Sequence, residues 1–456
     1  MFKPFLFAAA VGLVVGCNNS NSNTMSGGNS NMDTSFKPLS WVNNTNVYEV
    51  NLRQYTHEGT FNAFEKHLPR LQKMGVKTLW FMPVTPISQR NKKGTLGSYY
   101  AASDYTSINP EFGTLEDFKQ LVKSAHAQGF KVIIDWVANH TGWDHVWTKT
   151  HPDYYLKDSA TGDFKIASGM DDIIELDYSN PQMVNAMIDA MKFWVKECDI
   201  DGFRCDLAFW VELDFWKKAR KEVDAVKPLF WLAENDVWEH PEYMQVFDAS
   251  YTWHWMHRTE DFYKKNLPLD SLVSALEFYS STHGIKTWFT TNHDENSWNG
   301  TEYEKYGDMA KALAVFSCTW PGIPLIYSGQ ELPNKKRLEF FERDPIKWNG
   351  KNELNDFYTS LLELHSTNPA LRAGDTLATA RRIATSDDEH IFCFLRKNND
   401  KEVLVVLNLS SKNFGQATIN EDKLSGTYKN IFTKEERDFN NKTFSLAPWG
   451  YLVFEK

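Results

Sequence analysis

The 456-residue chain holds only five cysteines, carries no run of basic residues and has no apolar stretch long enough to cross a bilayer. Each shortage removes a class of explanation. Cys198, Cys205, Cys318 and Cys393 lie in or beside apolar segments, so buried free thiols are expected rather than a disulfide framework. A formal net charge of −10 without a basic patch excludes nucleic acid and anionic lipid headgroups as electrostatic partners and suits a neutral ligand. No internal repeat is visible, and low complexity is confined to one segment near the N terminus.

That segment follows an export pattern. Lys3 supplies a positive start, residues 5–15 a short apolar segment, and Gly16 a small residue before Cys17. The run Val14-Val15-Gly16-Cys17 resembles a bacterial lipobox, which implies a lipid on Cys17 and a protein held at a bacterial membrane, at the outer membrane or cell surface or facing the periplasm. Residues 18–35 are almost all Asn, Ser, Gly and Thr and cannot bury apolar surface, so a signal peptide over 1–17 and a flexible tether over 18–40 are expected. The remainder, in a chain that is 42% hydrophobic and 24% charged, is able to bury a large core. Aromatic residues make up 14%, with 17 Trp, and flat rings of that kind stack on pyranose faces as readily as they fill a core.

From Val47 onward, short β-rich apolar runs alternate with helical stretches. Strands are predicted at 47–50, 78–82, 131–136, 201–206, 230–234, 246–251, 285–290 and 325–328, with a helix starting near Pro181. Eight such units predict an α/β fold, a closed (β/α)8 barrel over 41–370. An irregular insertion at 141–177 follows the third strand. From 371 to 456 the pattern becomes strands without helices, at 389–396, 402–408 and 443–454, which predicts a small antiparallel β-sandwich.

Barrels of this kind build their sites at the C-terminal ends of the strands. There the sequence places Asp135-Trp136-Val137-Ala138-Asn139-His140, then Gly202-Phe203-Arg204-Cys205-Asp206, Ala233-Glu234 and Asn292-His293-Asp294. Arg204 and Asp206 are two apart on a strand and so point the same way. The guanidinium favours an ionised Asp206, whereas the apolar run 230–233 before Glu234 favours a protonated acid. Any one of these acids alone reads more often as a structural hydrogen-bond acceptor.

Together, in this order and spacing, the four blocks resemble those of the α-amylase superfamily, glycoside hydrolase family 13, and the similarity runs from about Tyr48 to the C terminus. The resemblance implies hydrolysis of α-linked glucan, with Asp206 as nucleophile, Glu234 as acid and base, and Asp294 as binder of the distorted sugar. It further implies that His140 and His293 bind that sugar, that Arg204 orients the nucleophile and that Asp135 fixes the arrangement. Tyr100, in the block Gly97-Ser98-Tyr99-Tyr100-Ala101-Ala102-Ser103-Asp104-Tyr105, would stack on it. Calcium is the one cofactor implied, with Asn139 and Glu175 as oxygen donors, and no organic cofactor is expected.

Phe209-Trp210 stand where many family members carry Lys-His, which leaves the leaving-group side open. Trp136, Trp143, Trp238 and Trp298 also fall on or after strand ends and line either groove or core. Four readings therefore remain: an α-amylase acting on starch or malto-oligosaccharides, a cyclomaltodextrinase or transglycosylase, a trehalose-synthase-like isomerase, and a non-catalytic starch-binding lipoprotein. The sequence is silent on oligomeric state.

Overall fold

The computed structural model describes Phe36 and residues 38–456. The signal segment, Cys17 and most of the tether lie outside the described residues. Among those described, no helix is long and apolar enough to cross a membrane.

Eight strands close a parallel barrel: β1 (Val47–Val50), β2 (Thr78–Phe81), β3 (Lys131–Trp136), β6 (Gly202–Cys205), β7 (Phe230–Asp236), β8 (Ala249–Tyr251), β9 (Ile285–Trp288) and β10 (Ile323–Tyr327). Their order around the barrel is β1-β10-β9-β8-β7-β6-β3-β2. Nearly every strand residue is buried, as expected where helices cover one face and barrel-filling side chains the other.

The covering helices carry the local signals that start and stop them. In Leu115–Ala127 the Thr114 hydroxyl and the Asp117 carboxylate cap each other's backbone N–H groups. Asn180 caps Pro181–Cys198, whose inner face is a stripe of Met183, Met187, Met191 and Trp194.

The insertion after β3 contains a two-stranded ribbon, β4 (His140–Gly142) against β5 (Ile173–Glu175). The C-terminal region forms a six-stranded antiparallel sheet, ordered β11 (Thr379–Ile383), β12 (Ile391–Asn398), β13 (Lys401–Asn408), β18 (Tyr451–Glu455), β15 (Thr427–Asn430) and β16 (Glu436–Asp438). A second ribbon pairs β14 (Phe414–Thr418) with β17 (Thr443–Leu446). Ala417, Phe444 and Leu446 of that ribbon share a core with Cys393, Leu404 and Phe454 of the sheet.

The stretch 443–454, predicted as one strand, is therefore two strands in different sheets. The chain turns between them, where Trp449 adopts a left-handed backbone with φ of 54°. Arg396, fully buried, ties sheet to barrel by donating from Nη1 to the Thr319 carbonyl at 2.8 Å. All four cysteines outside the N-terminal segment are buried free thiols, as predicted.

Candidate active site

Strand register sets the site. Asp135 on β3 lies beside Arg204 on β6, and Cys205 on β6 beside Ala233 on β7. One residue further, Asp206, just past the end of β6, and Glu234, within β7, lie at the same level and on the same side.

Arg204, with 0% of its side chain exposed, sits beneath them. Its Nη1 donates to Asp135 Oδ1 and to Asp206 Oδ1, each at 2.9 Å, and its Nη2 lies 2.7 Å from Glu234 Oε2. Its Nε donates to the Tyr251 hydroxyl at 3.3 Å. One cation thus serves three buried carboxylates.

Burial is the strongest influence on each acid, and Arg204 opposes it. For Glu234 burial prevails over Arg204, and the Asp206 and Asp294 charges add to it, pushing the carboxyl up to about 7. Asp206 is also pushed up, to about 6, by burial against the pull of Arg204. Arg204 does favour the ionised Asp206, as expected, but against a burial that the sequence did not show, and Glu234 holds its proton to a higher pH than Asp206. Asp135 likewise rises to about 6 through burial.

The opposite wall is built from Tyr100, His293 and Asp294. The Tyr100 ring stacks on His293 with centroids 5.4 Å apart, and its hydroxyl donates to Asp135 Oδ2 at 3.1 Å. His293 Nε2 lies 3.1 Å from Asp294 Oδ2, and its Nδ1 lies 2.5 Å from Glu49 Oε1. Burial disfavours charge on His293, but the two carboxylates outweigh it and raise the imidazole well above its usual range. Asp294 keeps 37% of its side chain exposed at the mouth and is lowered, because His293 outweighs its burial. His140 is the contrast. Burial lowers it to about 4, so it is neutral at pH 7, and its Nε2 is buried without a protein partner.

The structure therefore brings Tyr100, Asp135, Arg204, Asp206, Glu234, His293 and Asp294 into one hydrogen-bonded and ion-paired set, with His140 beside Tyr100. Phe209 and Trp210 form a half-buried 3₁₀ turn directly after Asp206, with Phe209 stacked on His240 at 4.8 Å. Trp136 and Trp143 belong to the core. Trp238 stacks on His254 at 3.6 Å.

Three contributors escaped the sequence reading. Glu49 reads as one residue of an apolar strand, and nothing local couples it to His293, 244 positions away. Leu207 holds a left-handed backbone with φ of 37°, an unfavourable state for a branched residue, and donates its N–H to Glu234 Oε2 at 2.9 Å. The third, Phe340, sits in the long loop after β10 and packs towards Tyr100 and His293.

Asn139 and Glu175, the oxygen donors the resemblance implies for calcium, both meet protein partners. The Glu175 carboxylate is taken by Lys165 at 2.7 Å, and the Asn139 amide faces His140. Among the described residues no group of three or more His, Cys, Asp or Glu side chains is placed to hold a metal.

A closed parallel barrel with an Asp–Glu pair clamped by one arginine at its mouth has the paired carboxylates that glycoside hydrolysis needs, and the comparisons place it in that class. The chain belongs to the α-amylase family: residues 18–169 and 154–374 match its catalytic domain, and 383–451 its C-terminal all-beta domain. A noncanonic maltogenic alpha-amylase from Thermotoga neapolitana has a similar structure, with a TM-score of 0.80, 30% identity and coverage of 91% of this chain and 97% of that one. Alpha-amylase 2 of Dictyoglomus thermophilum is 25% identical, over 85% of this chain and 69% of its own. A cyclomaltodextrinase of Thermoanaerobacter pseudethanolicus is 26% identical, over 84% and 68%.

Proposed function

We propose that the protein cuts α-1,4-glucosidic bonds of starch or malto-oligosaccharides with retention of anomeric configuration. The observation that carries this is the Asp206–Glu234 pair on adjacent strands, with Glu234 the weaker acid.

In the first step an Asp206 oxygen forms a bond to the anomeric carbon while the glycosidic C–O bond breaks and Glu234 gives its proton to the leaving oxygen. In the second, Glu234 takes a proton from water, whose oxygen displaces Asp206 and restores both groups. Arg204 keeps Asp206 oriented throughout. Asp294 and His293 bind hydroxyls of the distorted sugar, Tyr100 stacks on it, and the unpartnered His140 Nε2 offers a further polar contact.

A second reading, transfer to a sugar acceptor or opening of a cyclic maltodextrin, is favoured by Phe209 and Trp210. Two half-buried aromatic residues beside the nucleophile present an apolar surface on the leaving-group side, where an incoming sugar competes with water. Resolving the products formed from soluble starch, cyclodextrin, pullulan and sucrose separates the readings, and no turnover of any α-glucan would defeat both.

Activity should also follow a narrow bell in pH. Asp206 must be ionised and Glu234 protonated, so kcat/KM is expected to rise near 6 and fall near 7. A profile flat from pH 5 to 9 would exclude these groups as the titrating pair.

A further inference from the structure

Trp298 is 52% exposed, an unusual state for the largest apolar side chain, and it does not stand alone. It lies on a short π-helical turn, Glu295–Asn299, immediately after Asp294. Its ring contacts Phe340 at 5.3 Å and Phe341 at 5.6 Å. Phe340 in turn lies 6.3 Å from Tyr100, nearly parallel at 19°, and 6.4 Å from His293. The result is a continuous aromatic track from the centre of the site to solvent.

Its support is rigid. Asn296 Oδ1 accepts from the Leu338 N–H at 2.9 Å, joining the π-turn to the loop that carries Phe340. From below, Arg53 Nη1 donates to the Phe340 carbonyl at 3.3 Å and Gln54 Nε2 to that of Glu339 at 2.8 Å. A preformed apolar surface costs little to order when a ligand lands on it.

We propose that Trp298 and Phe340 form a stacking platform for the glucose units on the non-reducing side of the cleaved bond, and so set the preference for longer α-glucans. This rests on the α-glucan reading above and assigns its polarity. Glu234, which protonates the leaving oxygen, lies near the C-terminal end of β7, and Phe209 and Trp210 follow β6, so the departing part of the chain exits on that side. The platform follows β9 and β10, across the mouth, and continues from Tyr100 and His293, where the retained sugar sits.

The test compares Trp298→Ala, Phe340→Ala and Trp298→Phe with the unaltered enzyme on maltoheptaose and on α-glucosyl fluoride, whose single glucose does not reach the platform, after melting curves confirm folding. The ratio of kcat/KM on the long substrate to that on the short one is expected to fall roughly tenfold in Trp298→Ala, the upper range for one aromatic stacking contact. The loss should appear in KM, and Trp298→Phe should recover most of it. Phe340→Ala should shift the ratio in the same direction. A ratio unchanged in both alanine variants, or changed equally by Trp298→Phe, would overturn the platform. Failure of the unaltered enzyme on both substrates would instead defeat the α-glucan reading, and the platform with it.

Discussion

Asp206→Asn is expected to lower turnover of malto-oligosaccharides by roughly four orders of magnitude or more, because both chemical steps pass through that oxygen. Stability should not fall with it. Burial has raised the Asp206 carboxyl, so its contribution to folding is largest when protonated and is lost as pH rises through about 6. At pH 7 the native fold therefore bears a buried charge that asparagine lacks, and the variant's melting temperature should equal or exceed that of the unaltered protein. Glu234→Gln should show the same separation of activity from stability, with a loss of roughly two to four orders of magnitude. If either variant kept near-full turnover while folded, the role given to that residue would be wrong.

Replacing the cation is expected to do the opposite. Arg204→Met removes the one cation that pairs directly with Asp135, Asp206 and Glu234, and breaking a buried pairing in this way costs about 3–5 kcal/mol. The pH dependence distinguishes this from a packing defect. Without the guanidinium all three acids would rise further above their ordinary values. The penalty should then be largest above pH 7 and shrink towards pH 5, where the acids are protonated and uncharged. Melting curves at pH 5 and pH 8 test this: a deficit equal at both would assign Arg204 to packing alone. Whatever activity remains should have its acid limb displaced to higher pH.

The parts of the molecule legible in the sequence are those whose cause is local. β1 and β3 begin and end where apolar runs of β-formers predict. Asn180 and Pro181 likewise mark the start of the long helix before β6. The four acidic and basic blocks at strand ends led directly to the constellation around Arg204. What remained hidden depends on contacts distant in sequence. The stretch 246–251 is apolar enough to read as one strand, but only Ala249–Tyr251 is registered against both neighbours. Burial of Asp206 is a property of the closed barrel and not of its neighbour Arg204, so its upward push on the carboxyl could not be read from the strand-end block alone. Glu49 and Phe340 reach the site only because β1 and the loop after β10 meet there. The aromatic track shows the same limit: Trp298 was visible as a candidate, but its partners lie more than forty residues downstream.

Covalent trapping probes the proposed chemistry at its root. Incubation with a 5-fluoro-α-glucosyl fluoride, which forms the glycosyl-enzyme quickly and hydrolyses slowly, followed by mass spectrometry of the digested protein, locates the nucleophile. The adduct is expected on the peptide containing Asp206, at that carboxylate. An adduct on another residue of a folded, active enzyme would contradict the account.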